Sequence, residues 1–326
     1  MLRNRMPQYF FVPAAKVEAD ASAKNVRREI TVNQCRIQRG NPKVVDSVDS
    51  ERGMRTIARF ALCFSLGLLL LAQRPFRSYL GMEGAATDTE LPADFNNKAE
   101  LIMGRLMYPS GGRGGRGGGG NWLQGGTNWT VDYPKGDRTF AAAIRRLTPI
   151  DVRSVEQPVN PDDDDDIYHW PYLHVSMPGS WNLTGAQTVK IREYLLRGGF
   201  LFCDSFFDTE EWQAFESGMS RIFPNRRVEE LANEDPMFHT VFDLSERYQV
   251  ANYRSLMRDG RGYRADGAVA KWRVIRDDDG RVMVAMAFNS DLGDSWQLAD
   301  EPRYPEKYSA LGLRIGVNYI VYAMSH

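Results

Sequence analysis

From about residue 100 to the C-terminus, apolar runs of strand length alternate with segments whose apolar positions recur at helical spacing. Residues 101–108 read as a first strand, and residues 137–147 (DRTFAAAIRRL) as an amphipathic helix. Residues 151–156 suit a second strand. Tyr172–Ser176 forms the core of a third, entered through residues 167–177. The string 184–187 (TGAQ) has the form of a capping box and opens a helix to Leu196. Gly198 and Gly199 end it, as a left-handed C-terminal cap does. Residues 200–203 (FLFC) are wholly apolar, the pattern of a strand buried on both faces. A second capping signal at 208–211 (DTEE) starts a helix to Phe223, and residues 227–231 follow as a strand. The turn string 277–280 (DDDG) joins residues 271–276 to 281–289 as a hairpin. A last helix begins at Tyr304 or Glu306 and ends near Met324. Strands alternating with helices predict a mostly parallel sheet covered on both faces, with a C-terminal hairpin and helix.

Ahead of this region the composition changes. Residues 1–53 have no sustained apolar period and are expected to be a disordered or miscalled extension. Residues 54–72 place Arg55 and Arg59 before a short apolar run, 60–72 (FALCFSLGLLLLA). The run is shorter than the roughly 20 residues that span a bilayer. A basic start and a short apolar core describe a signal peptide, with Met54 as the initiator. The rival reading keeps the long N-terminus and makes residues 57–72 a membrane anchor. Residues 73–97 read as a linker and 98–326 as the folded domain. The glycine tract at 111–120 (GGRGGRGGGG) reads as a flexible loop, its two arginines being too few for an RNA-binding footprint.

Composition narrows the chemistry. The 326 residues are 43% hydrophobic and 25% charged, enough for a real core. Lys plus Arg count 41 and Asp plus Glu 42, a net charge of -1, so nothing draws the chain as a whole to nucleic acid. Three cysteines exclude a disulfide scaffold and a four-cysteine zinc site, and four histidines exclude a histidine-rich metal cluster.

Several strings together resemble one protein family. They are 197–204 (RGGFLFCD), 223–231 (FPNRRVEEL), 235–238 (DPMF), 289–296 (NSDLGDSW) and 314–322 (RIGVNYIVY). In this order they resemble the bacterial domain-of-unknown-function 4159 family, over about residues 98–326. The resemblance implies a flavodoxin-like three-layer α/β sandwich of the class I glutamine amidotransferase-like type, in an exported or membrane-tethered protein. It implies no activity.

An amidotransferase needs a cysteine on a sharp, glycine-flanked elbow and a histidine within reach. Cys203 closes a predicted strand, but its neighbours are Phe202, Asp204 and Ser205, so the elbow is not encoded. A buried apolar thiol is the plainer reading, although His174 or His239 could approach it in space. The carboxylates carry more. Asp204 follows a buried strand, where open α/β sheets bind ligands. Asp208 stands beside it, and Asn289, Asp291 and Asp294 follow the strand at 282–288. Converging, they would hold a divalent cation or do acid–base work. Singly, Asp208 suits a helix cap, and Asp291 and Asp294 suit a turn around Gly293. Trp181 and Trp296 follow predicted strands, and either face a ligand or pack a loop; Trp122, Trp129 and Trp212 join the same aromatic set. The acidic run 162–166 reads as a solvated loop. The expectation is an exported, non-catalytic binding domain with no required cofactor, periplasmic or secreted, whose partner is an envelope protein or glycan. The alternative is an envelope hydrolase using these aspartates, with a divalent cation as its one conceivable cofactor.

Overall fold

The computed structural model describes residues 76–83, 91–111 and 120–326. The chain divides after Gln73, and everything described belongs to the unit 74–326. The expectations for residues 1–53 and 54–72, for most of the glycine tract and for parts of the linker lie outside the described residues. Among the described residues no helix is long and apolar enough to cross a membrane.

The strands are β1 (Gly104–Leu106), β2 (Gln157–Val159), β3 (Tyr172–Ser176), β4 (Phe200–Asp204), β5 (Glu229–Glu230), β6 (Lys271–Arg276) and β7 (Val282–Phe288). The α-helices are α1 (Lys135–Leu147), α2 (Gly185–Leu196), α3 (Asp208–Ile222), α4 (Tyr253–Asp259), α5 (Leu292–Gln297) and α6 (Glu306–Ser325). The strands form one sheet in the order β2-β1-β3-β4-β7-β6-β5. The first five in that order are parallel, and β6 and β5 add an antiparallel edge. Here the expected hairpin is not an appendage. Its second strand, β7, lies beside β4 in the parallel part, with Cys203 opposite Met286.

Strand alternation sorts the interior into two apolar clusters. Phe200 and Phe202 point to the face covered by α1, α5 and α6, where Phe140, Trp296, Ile315 and Tyr319 pack. Leu201 and Cys203 point to the face covered by α2 and α3, among Ile191, Phe215 and Met219. All five residues of β4 are buried, each large apolar one contributing about 1.5–3 kcal/mol of transfer free energy. The capping box before α2 is made as predicted: Gln187 N donates to Thr184 Oγ1, and the Gln187 side chain accepts from Thr184 N.

Three predicted strands are corrected. The first shortens to β1. The second lies at β2 rather than 151–156, where only Val152 bridges to Leu101. There the Arg153 guanidinium donates to the Val155 and Glu156 carbonyls, which takes those acceptors out of the ladder. The strand at 227–231 shrinks to β5, whose two exposed glutamates have no apolar face to bury.

Candidate functional site

The parallel strands run so that the ends of β3, β4 and β7 meet at one edge, with Ser176 opposite Asp204. The turn Asn128–Thr130 leads into α1 and brings Asp132 to the same edge, in a left-handed backbone conformation at φ 64°. After β7 the chain turns at Asn289, φ 61°, and Asp291 caps α5, its Oδ1 accepting from Asp294 N at 3.0 Å. One carboxylate oxygen from each of Asp132, Asp291 and Asp294 lies within 4.8 Å of the other two.

The three carboxylates differ in how they are held. Asp291 Oδ2 accepts from Ser205 Oγ at 2.9 Å and from Asn252 Nδ2 at 2.9 Å. Asp294 Oδ2 accepts from Tyr253 N at 2.7 Å and from Asn252 Nδ2 at 3.1 Å. Asp132 is fully buried, and neither of its oxygens has a hydrogen-bond partner. Its backbone N–H donates to Glu83 Oε2 at 3.2 Å. The approach of Asp132 requires Gly293: a Cβ there would meet Asp132 Oδ2 at 2.1 Å.

Electrostatically the trio is only weakly compensated: the charge of Arg264 acts on Asp291 without forming an ion pair. No ion pair among the described residues reaches Asp132, Asp291 or Asp294. Burial, and then the charges of Asp294 and Asp291, push the Asp132 carboxyl well above the usual range. Burial and then Asp291 do the same to Asp294. Asp291 is raised by burial and by Asp204, with the Asn252 hydrogen bond working against the rise. Glu83 is also raised, chiefly by burial.

Asp204 does not join this trio. Its Oδ1 lies 2.6 Å from His174 Nε2, and its Oδ2 accepts from Gly293 N at 2.7 Å. His174 Nδ1 lies 3.6 Å from Asp137 Oδ1, and Asp137 Oδ2 accepts from Arg105 Nη2 at 2.8 Å. Arg105, Asp137, His174 and Asp204 are all fully buried, a row of polar side chains with Phe202 and Trp296 against the imidazole. Burial alone would raise the Asp137 carboxyl. Arg105 and His174 overcome it and hold the group below its ordinary range.

The other predicted site residues go elsewhere. Asp208 Oδ1 accepts from Glu211 N at 3.0 Å and so caps α3. Asn289 Oδ1 accepts from Asp208 N while its Nδ2 donates to Val269 O, which clasps three loops together. Trp181 stacks on Phe215 with ring centroids 5.3 Å apart. Trp296 stacks on Phe140 at 4.1 Å and donates to Gly312 O. Both indoles are buried in packing, on opposite faces of the sheet. In the acidic run, Asp162 accepts from Gln187 and Asp163 from Asn160, so these two tie the loop to its neighbours. Cys203 is fully buried, and burial pushes its thiol well up.

Sequence reasoning passed over Asp132, Ser205 and Asn252. A signal for Asp132 was present. It sits in the loop that joins the first strand to a well-predicted helix, and such loops open at the carboxyl edge of a parallel sheet.

A family model for a domain of unknown function (DUF4159) matches residues 121–324. The chain belongs to this family. The DUF4159 match begins at 121, later than the 98 expected from the strings, and contains Asp132, Asp204, Asp291 and Asp294. Arg105 and Glu83 precede it. No curated protein matches the chain.

Proposed function

We propose that this DUF4159 domain is an exported, non-catalytic binding domain of the bacterial cell envelope, built on a flavodoxin-like frame of the class I glutamine amidotransferase type. The frame is supported by the parallel order β2-β1-β3-β4-β7, which follows the 2-1-3-4-5 pattern of flavodoxin-like sheets. The placement of α1 and α6 on one face and α2 and α3 on the other agrees with it. The envelope setting rests on the signal-like segment at 54–72. Its partner is an envelope protein or glycan.

The non-catalytic reading is carried by one observation: Cys203 and His174 face opposite sides of the sheet. Cys203 packs with Phe215 and Met219, whereas His174 packs with Phe202 and Trp296 and is held between Asp204 and Asp137. No proton can pass between the two side chains across a β-strand, so His174 cannot serve the thiol as a base, and His239, the other candidate, is tied to Asn233 O and Asp243. The hydrolase alternative weakens for a similar reason. Asp204 is tied to His174 and Gly293, and Asp291 caps a helix.

The test is to express the full chain in its own host type, fractionate the cells, and assay the purified protein on chromogenic amides, esters and glycosides with calcium and magnesium. Recovery in the envelope fraction with no turnover is the expected result. Turnover that disappears in Asp291→Asn would replace this reading with the hydrolase.

A further inference from the structure

We infer that Asp132, Asp291 and Asp294 form a binding site for a hard divalent cation, calcium or magnesium. Three carboxylate oxygens within 4.8 Å of one another can surround a single ion, since oxygen ligands stand about 2.0–2.6 Å from these metals. The Asp132 carboxylate decides the matter. It is fully buried among the other two, and neither oxygen is hydrogen-bonded. A buried carboxylate persists when it is paired with a charge or coordinates a metal. Two of the nearby guanidinium groups are committed elsewhere, Arg105 to Asp137 and Arg264 to Glu211, and no ion pair among the described residues joins a cation to Asp132.

The donor set selects the ion class. It contains oxygen only, with no imidazole or thiolate, so it favours calcium, magnesium or manganese over zinc. The surroundings orient the ligands, as outer partners do in metal sites. Asn252 Nδ2 bridges Asp291 Oδ2 and Asp294 Oδ2, Ser205 Oγ fixes Asp291, and Tyr253 N fixes Asp294. Gly293 gives Asp132 the space to reach them. Asp294 is only half-buried as a residue, which leaves a side for entry and for water ligands. A bound ion would join the loop before α1 to the start of α5, two segments far apart in the chain. The site does not depend on the envelope reading and would hold for an enzyme or a binding domain alike.

The experiment uses the full chain, stripped with a chelator and then titrated with CaCl2 or MgCl2 at constant ionic strength, read by calorimetry and by thermal unfolding. The expected result is one saturable site and a rise in Tm on the order of 5–10 °C at about a hundredfold excess over Kd. Asp132→Asn should unfold no lower than the stripped wild type and should lose the cation response. Asp294→Asn, read by calorimetry, should lose the same binding. Asp164→Asn, in the acidic run, should keep it. No saturable heat and no shift with either ion up to about 10 mM, an order above the weakest calcium modules, would overturn the site. So would a response that survives in Asp132→Asn or vanishes in Asp164→Asn.

Discussion

Arg105 Nη2 donates to Asp137 Oδ2 at 2.8 Å, and neither side chain is exposed at all. The pair joins β1 to the first turn of α1 and begins the chain that continues through His174 to Asp204. A buried ion pair of this kind is costly to break from one side, because the remaining charge has no solvent.

Arg105→Met should therefore destabilise the protein by about 3–5 kcal/mol, and Asp137→Asn should also be costly. The double variant Arg105→Met/Asp137→Leu should recover much of the loss, since apolar replacements of buried pairs are often tolerated. Urea unfolding of the two single variants and the double variant measures this. A double variant as unstable as the sum of the singles would contradict it.

Acid tests the same pair by sign. The Asp137 carboxyl is held below its ordinary range in the folded state. Its contribution is thus complete above the unfolded value of about 3.9 and is lost as pH falls through the folded value. The stability gap between wild type and Asp137→Asn should narrow as pH drops below about 4. Unfolding curves between neutral pH and about pH 2.5 would show it.

The acidic trio predicts the opposite slope. Asp132 and Asp294 are raised in the folded state. Their contribution is complete below the unfolded value of about 3.9 and is lost as pH rises through the folded values. In chelator, wild-type stability should fall relative to Asp132→Asn as pH rises above about 4. Parallel pH profiles for the two proteins would show that Asp132 carries no such strain.

Helix α6 packs closely enough to override helix propensity. A Cβ at Gly316 would meet Phe140 Cζ at 2.5 Å and Cε2 at 2.7 Å. Gly→Ala in a helix interior gains about 1 kcal/mol in propensity. Overpacking costs about 1–3 kcal/mol, more where a stacked pair such as Phe140–Trp296 must shift. Gly316→Ala should come out destabilising in thermal unfolding, whereas Gly185→Ala, with open space around its Cβ, should not.

Cys203 behaves as a core side chain in this structure. Cys203→Ala should cost about 1 kcal/mol through a small cavity. The native thiol should react with iodoacetamide only as fast as the protein opens, because burial keeps it protonated. Alkylation at the rate of a free thiol would mean that the strand is accessible.

Much of the fold was legible along the chain, because its signals are local. The Thr184 and Gln187 box, the apolar run at β4, the hairpin of β6 and β7 and the long α6 all depend on residues within a few positions of one another. The same local reading lengthened β1 and β5 and misplaced β2, where pairing and the reach of Arg153 set the ends. It left out α4 and α5, two short helices whose caps, Asn252 and Asp291, act through tertiary contacts as well.

By itself the sequence determined the alternation of strands and helices, the edge at which polar groups gather, and three of the carboxylates found there. Only the tertiary structure decided which of them meet. Asp204 was expected in the cluster and instead turned to His174, while Asp132, from the loop between β1 and α1, took the place beside Asp291 and Asp294. It also set Cys203 and His174 on opposite faces. The reason is physical. Periodicity and capping are governed by neighbours three or four residues away, whereas convergence at a sheet edge follows from strand order and crossover connections. Those are selected by how the two faces of the whole sheet bury their apolar surface.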